Sequence, residues 1–381
     1  MKEGVIRTVM QNRYRIFATC NIGDEALELL RRRGYEVEVY DQWEAPPKSL
    51  ILEKVRSGID GLITTLRDPI DEEVIRAGAG TLKVIAQDAV GFDNIDRQAA
   101  NRYRIPFTNT ADVLTHATAE FALFLLGCAA RKLYSSERLV RESKWAGWHP
   151  WMPFLGDEVT GKTVAVVGTG RIGKAFALKC TGLEMNILCV DAVVDASFVA
   201  GLQQLLDLQH RLGLLRSPRR AAACPLEEAL AQADFVSLHV PLTPQTRRLI
   251  DERALRRMKP TAWLINTSRG PVVDESALYR ALKERWIAGA ALDVFEQEPL
   301  PADSPLRDPE LVDRLRLYHH FASGTRETRL SLDPAVGMAG RCVQGLIDVL
   351  EGNYGGDPWR MPYVVNKEAF RDSGLRGSAQ E

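Results

Sequence analysis

The stretch TVAVVGTGRIG, residues 163–173, constrains this 381-residue chain more than any other. An apolar run with strand character leads directly into Gly168, Gly170 and Gly173, and then into a helical pattern beginning at Arg171. The first glycine permits a tight turn. The second lets the backbone approach a pyrophosphate, and the third lets helix and strand pack closely. The start of the following helix presents unpaired N–H groups and the positive end of a dipole. Strand, turn and helix in this order predict a Rossmann unit that binds a dinucleotide. Asp191 ends the next apolar run, ILCVD. An acid there can accept hydrogen bonds from the ribose hydroxyls and repel a 2′-phosphate, which favours NAD over NADP. A solvated acid at a strand end is the alternative, and Val193 and Val194 place no arginine nearby to decide it.

The rest of the chain fits around this unit. Residues 14–20, 35–40, 61–65 and 82–87 read as strands, and 24–33 and 71–79 as helices. Such alternation argues a parallel, doubly wound sheet. A long helix is expected within residues 109–133, with Thr115 as its cap. The second series continues from residue 163 with strands at NILCVD, FVSLHVP, AWLINTS and GAALDVF. A helix near residues 335–350 is expected to return to the first domain, and the last ten residues to be mobile. The expected boundaries are therefore 1–111 with 325–381, and 112–324 between them. Residues 192–224 are long for one connection. Phe198, Leu202, Leu205, Leu206 and Leu212 predict an extra, exposed amphipathic helix there.

Composition narrows the function classes. A formal charge of −1 gives no bias toward nucleic acid or a membrane surface. The six cysteines form no C-x-x-C pair, which argues buried free thiols in a reducing compartment and no metal site. The polar start (Lys2, Glu3, Arg7, Arg13) offers no signal peptide, and the apolar run at 117–130 is too short to span a bilayer. A cytoplasmic enzyme is expected.

Three later segments bring in chemistry. INTSRGPVVDE carries Arg269, ALDVFEQEP carries Asp293 and Glu298, and LYHHFASGT carries His319 and His320. Reducing a 2-oxo acid requires a proton donor at the carbonyl oxygen and a fixed cation for the carboxylate or the polarised carbonyl. Histidine suits the first task, a neighbouring carboxylate favours its charged form, and arginine's planar fork suits the second. Singly, these residues read as a surface cation, a Glu-Pro turn and a structural histidine pair. Together behind a nucleotide fingerprint they read as a site.

These motifs, with AVGFDNID (89–96), ADVLTHATAEFAL (111–123) and DFVSLHVPLTPQTRRLI (234–250), resemble the D-isomer-specific 2-hydroxyacid dehydrogenase family from about residue 60 to 366. The resemblance implies a discontinuous, flavodoxin-like substrate domain, an inserted Rossmann domain, an active site in the cleft between them, and a homodimer. It assigns catalysis to Arg269, Glu298 and His320, and the substrate carboxylate to backbone groups of Val90 and Gly91. It places Thr118, Arg171, Ile172, Asp191, Val240, Pro241, Thr246, Thr267 and Asp293 against the cofactor, Asp293 at the nicotinamide carboxamide. The family has proline before its histidine where this chain has His319. The following FASGTRET anchors the register on His320, with His319 as the rival. His239 is read as packing and positioning.

The segment KWAGWHPW, within an arm at 134–158, resembles that of glyoxylate/hydroxypyruvate reductases. The arm also holds Phe154; its Trp145, Trp148 and Trp151 on an irregular segment argue a dimer contact, with packing inside their own chain as the alternative, and the resemblance places Trp148 in the partner's substrate pocket. Glyoxylate or hydroxypyruvate is the expected substrate, with lactate or phosphoglycerate as alternatives. An NAD-sensing corepressor or scaffold of the same fold is the rival from another class. A scaffold is expected to carry a long disordered tail, and none is expected beyond this fold.

Overall fold

The computed structural model describes residues 14–151 and 155–371. Lys2, Glu3, Arg7, Arg13 and Phe154, and the last ten residues expected to be mobile, lie outside the described residues. The chain divides into two compact units. One is built from the residues up to Leu114 and from Thr325 onward, the other from Thr115–Gly324. The first crossing comes slightly later than the expected 111/112. The helix Thr115–Arg131 starts at Thr115 itself, which is therefore its first residue and not its cap. Ala111 and Asp112 are tied by Arg341 to the helix Met338–Leu350.

The first unit holds five parallel strands: β1 (Arg15–Ala18), β2 (Glu36–Val39), β3 (Gly61–Thr64), β4 (Val84–Gln87) and β5 (Phe107–Thr108). Their order is β2-β1-β3-β4-β5, the flavodoxin-like order. Every residue of GLIT and VIAQ is buried, as central parallel strands covered on both faces require. EVEV alternates between exposed and half-buried, which suits the sheet edge. The helix Met338–Leu350 lays Ala339, Val343, Leu346 and Ile347 onto Ile16, Ile63 and Val84 in this unit.

The second unit holds seven parallel strands: β6 (Thr163–Val167), β7 (Asn186–Val190), β8 (Ala221–Ala223), β9 (Phe235–Leu238), β10 (Trp263–Asn266), β11 (Gly289–Leu292) and β12 (Leu315–Leu317). The order is β12-β11-β10-β9-β6-β7-β8, reversing between β6 and β9. Ligands of such sheets bind outside the strand ends at that reversal.

Residues 192–224 correct the sequence reading. They contain one helix, Ala196–Arg211, capped by the Asp195 carboxylate on the N–H groups of Ser197 and Phe198. Leu202 and Leu206 bury in the same cluster as Phe176, and the segment then forms edge strand β8. It is the ordinary crossover from β7 to β8, not an added exposed helix. The strand itself is only Ala221–Ala223, which carries no β-forming signal.

The arm is also not extended throughout. Leu133–Arg141 is a helix. Arg138 and Ser135 both bond Asp313, at 2.8 Å, and Arg316 lies 4.4 Å from the Tyr134 ring centre. Beyond it, Trp145, Trp148 and Trp151 are exposed in the single chain, Trp148 at 83%. Among the described residues no helix is long and apolar enough to cross a membrane, and no cluster of three metal-ligating side chains occurs. All six cysteines are free, three of them buried.

Candidate active site

The glycine turn has the geometry that its sequence requires. Gly168 has φ +95°, and a Cβ there would lie 2.7 Å from the His239 carbonyl carbon. A Cβ on Gly173 would collide with the Gly168 carbonyl oxygen. Gly170 faces open space, as a position that a phosphate approaches should. It leads into the helix Arg171–Thr181, on which Ile172 packs toward the core and Arg171 is exposed. Asp191 follows β7 and accepts from the Thr169 N–H at 2.7 Å and its hydroxyl at 3.1 Å. Burial raises the Asp191 carboxyl, but these bonds outweigh it and hold the group below the usual range, so it is a carboxylate at neutral pH.

Of the other residues expected at the cofactor, all but Thr118 follow strand ends of the same sheet. Val240 and Pro241 follow β9, and Thr246 donates to the Pro241 carbonyl at 2.6 Å and accepts from the Thr243 N–H at 2.8 Å. Thr246 thus shapes this loop. Thr118 is buried on the helix Thr115–Arg131. Thr267, at the end of β10, has a buried hydroxyl with no hydrogen-bond partner among the described residues. An orphaned hydroxyl at the end of β10, two strands from β6, fits a bound nucleotide, as does the open space over Gly170. The residues present therefore fit a dinucleotide.

His239 is not an acid. Burial pushes its imidazole down to about 3, its Nε2 lies 3.0 Å from the Ser237 hydroxyl, and its ring lies 4.8 Å from that of Phe176. It is neutral at physiological pH and packs beneath the glycine turn.

The side chains expected to carry the chemistry leave three neighbouring strands. Arg269 follows β10, Glu298 follows β11 and His320 follows β12. A Cβ on Gly270 would collide with the Phe295 carbonyl, so only glycine lets the first two loops touch. That close approach brings the Arg269 charge to bear on Glu298. Sequence reasoning passed over Gly270, although a glycine directly after a candidate arginine was its signal.

Glu298 accepts from the Phe295 N–H at 3.0 Å through one oxygen and lies 2.7 Å from His320 Nδ1 through the other. Burial raises its carboxyl, but His320, the Phe295 N–H and Arg269 together hold it below the usual carboxylate range. His320 itself has φ +55°, an uncommon backbone for a non-glycine residue. Its N–H donates to the Asp293 carbonyl at 2.8 Å, while the Asp293 carboxylate takes the N–H groups of Phe321 at 2.7 Å and Ala322 at 2.8 Å. Asp293, wholly buried, therefore builds the turn that aims the histidine. His319 is exposed and stacks on Phe321 with ring centres 5.1 Å apart. The structure thus unites Arg269, Glu298 and His320 and leaves His319 aside. Val90 and Gly91 follow β4 in the other unit.

Comparison with known proteins gives the same lineage. Residues 123–320 match the family model for the D-isomer specific 2-hydroxyacid dehydrogenase NAD binding domain. A glyoxylate reductase of Korarchaeum cryptofilum is 46% identical over 358 residues, covering 94% of this chain and 97% of its own. A glyoxylate reductase of Thermococcus litoralis is 39% identical, covering 94% and 98%. A solved structure of a Thermus thermophilus protein superposes with a TM-score of 0.77 at 37% identity, covering 92% of this chain and 99% of that one. By its glycine turn, by the residues gathered at its strand ends and by these likenesses, the chain belongs to the D-isomer-specific 2-hydroxyacid dehydrogenases, and is an NAD-binding oxidoreductase.

Proposed function

We propose that this enzyme reduces glyoxylate or hydroxypyruvate to the 2-hydroxy acid with NADH. The pairing of His320 with Glu298 beside Arg269 carries the reaction type. The names of the similar archaeal glyoxylate reductases support the substrate. When bound, the dinucleotide supplies the hydride. His320, oriented through Nδ1 by Glu298, delivers a proton from Nε2 to the carbonyl oxygen. The Glu298 carboxylate stabilises the imidazolium before transfer. Arg269 holds the carboxylate or the polarised carbonyl with its planar fork. The N–H groups of Val90 and Gly91 take the substrate carboxylate.

The preference for NADH over NADPH rests on Asp191. Of the crossover segment's arginines, Arg219 is held away from it, donating to the carbonyl of Glu184, which precedes β7 whereas Asp191 follows it, at 2.7 Å. The working form is a homodimer in which the exposed tryptophan arm reaches the partner and Trp148 lines its pocket. That reading is supported by three large apolar rings open to water. A panel of small 2-oxo acids with NADH and NADPH, followed at 340 nm, tests the substrate and cofactor. Glyoxylate and hydroxypyruvate with NADH should give the highest kcat/KM, and a preference for a larger acid or for NADPH would overturn the corresponding part.

A further inference from the structure

A planar trans peptide points its C=O and its N–H in opposite directions. Whatever holds the carbonyl of one residue therefore aims the N–H of the next. In the loop after β4, three successive carbonyls are held. The Ala89 carbonyl accepts from the Thr110 N–H at 3.0 Å. The Val90 carbonyl accepts from Asn109 Nδ2 at 2.8 Å, and the Gly91 carbonyl from Gln87 Nε2 at 3.0 Å. Gln87 is wholly buried and also donates to Asn94 Oδ1 at 2.8 Å. Asn94 in turn donates to the carbonyls of Thr65 at 2.8 Å and Asp68 at 2.9 Å. The N–H groups of Val90, Gly91 and Phe92 make no hydrogen bond among the described residues.

We propose that Asn109 and Gln87 are positioning residues for the substrate carboxylate. Asn109, through the Val90 carbonyl, aims the Gly91 N–H. Gln87, through the Gly91 carbonyl, aims the Phe92 N–H, a third donor beside the other two. The result is three successive N–H groups left for an anion, a site built by side-chain amides and not by a helix end. Neither amide touches the acid; each acts only through the peptide it turns. This inference rests on the reading that the loop holds a carboxylate.

The test uses the full-length enzyme with NADH, glyoxylate and the competitive analogue oxamate. Asn109→Leu removes the tether. Asn109→Asp keeps the shape and, when ionised, repels the Val90 carbonyl. Both should raise the glyoxylate KM and oxamate Ki by about 10- to 100-fold, the usual worth of a hydrogen bond to a charged group. The NADH Kd should stay unchanged, and kcat should fall far less than KM rises. Because a protonated acid can donate, the Asn109→Asp defect relative to wild type should shrink as pH falls, whereas the Asn109→Leu defect should not. If Asn109→Leu fails to fold, the pH profile of Asn109→Asp carries the test. Wild type that binds oxamate alongside variants that bind it equally well overturns the tether alone. Wild type that neither reduces glyoxylate nor binds oxamate overturns the carboxylate reading and the tether with it.

Discussion

His320 Nδ1 lies 2.7 Å from Glu298 Oε2, while the neighbouring His319 turns away and stacks on Phe321. Two adjacent histidines thus have different environments, and only one can serve as a proton donor held in place by a carboxylate. His320→Ala should lower kcat at least ~10²-fold, the usual contribution of a general acid, with NADH binding retained. His319→Ala should stay close to wild type. Steady-state kinetics with an NADH titration of both variants checks this; a larger loss in His319→Ala would sink the assignment.

Arg269 is carried by a loop packed against the Phe295 carbonyl, so its fork has a fixed origin. Arg269→Lys should fold normally, since the side chain leaves that packing untouched, yet lose most of its activity. A point-charge ammonium cannot reproduce two parallel bonds to a carboxylate. Near-normal kcat/KM in this variant would remove Arg269 from the mechanism.

Asp191 is a carboxylate held by Thr169 at the end of β7. Asp191→Ala should weaken NADH and relatively improve NADPH, because a repulsive charge and two ribose bonds are lost together. Cofactor titrations by fluorescence give the ratio directly. An unchanged ratio would mean that selectivity lies elsewhere.

The sheets were legible where strands are long and apolar, as at β6, β7, β9 and β10. The edge strands β8 (Ala221–Ala223) and β12 (Leu315–Leu317) were not, because three residues give no period to read and the neighbouring strand supplies the pairing. Missing β8 turned an ordinary crossover into an apparent extra helix. The helix Leu133–Arg141 was hidden for a related reason: Asp313 and Arg316, far along the chain, hold it. His320 was legible because FASGTRET fixed its register. The amides Gln87, Asn94 and Asn109 were not, since their work depends on which carbonyls the fold brings near.

Asp88 tests the electrostatics of the first unit. It follows β4, and its Oδ1 is buried without a hydrogen-bond partner among the described residues. Burial pushes the carboxyl up to about 7, with Arg329 pulling the other way. The unfolded value lies near 3.9, so between ~4 and ~7 the folded chain keeps a proton that the unfolded chain has released. Stability therefore falls as pH rises through that window and levels off above it. Asp88→Asn should raise Tm, by more at pH 8 than at pH 5, in calorimetry. An equal gain at both would show that the carboxyl does not titrate there.

Trp148 is 83% exposed and sits past the anchored helix Leu133–Arg141. If the arm completes a partner's pocket, Trp148→Ala should raise the KM for glyoxylate or widen the range of acids accepted, leaving the NADH Kd almost unchanged. Light scattering should report a dimer. A fully active monomer defeats this prediction.

Arg269, Glu298, His320 and the glycine turn all fall between Thr115 and Gly324, one uninterrupted run of the chain. The proposed proton donor, the proposed cation and the nucleotide turn thus lie in one block of the chain. The proposed carboxylate loop at Val90 and Gly91 lies before that run and Trp148 within it, so change on either side of the boundary can alter which acid is recognised while what is done to it stays the same. Within such a lineage, substrate range is free to evolve faster than reaction type.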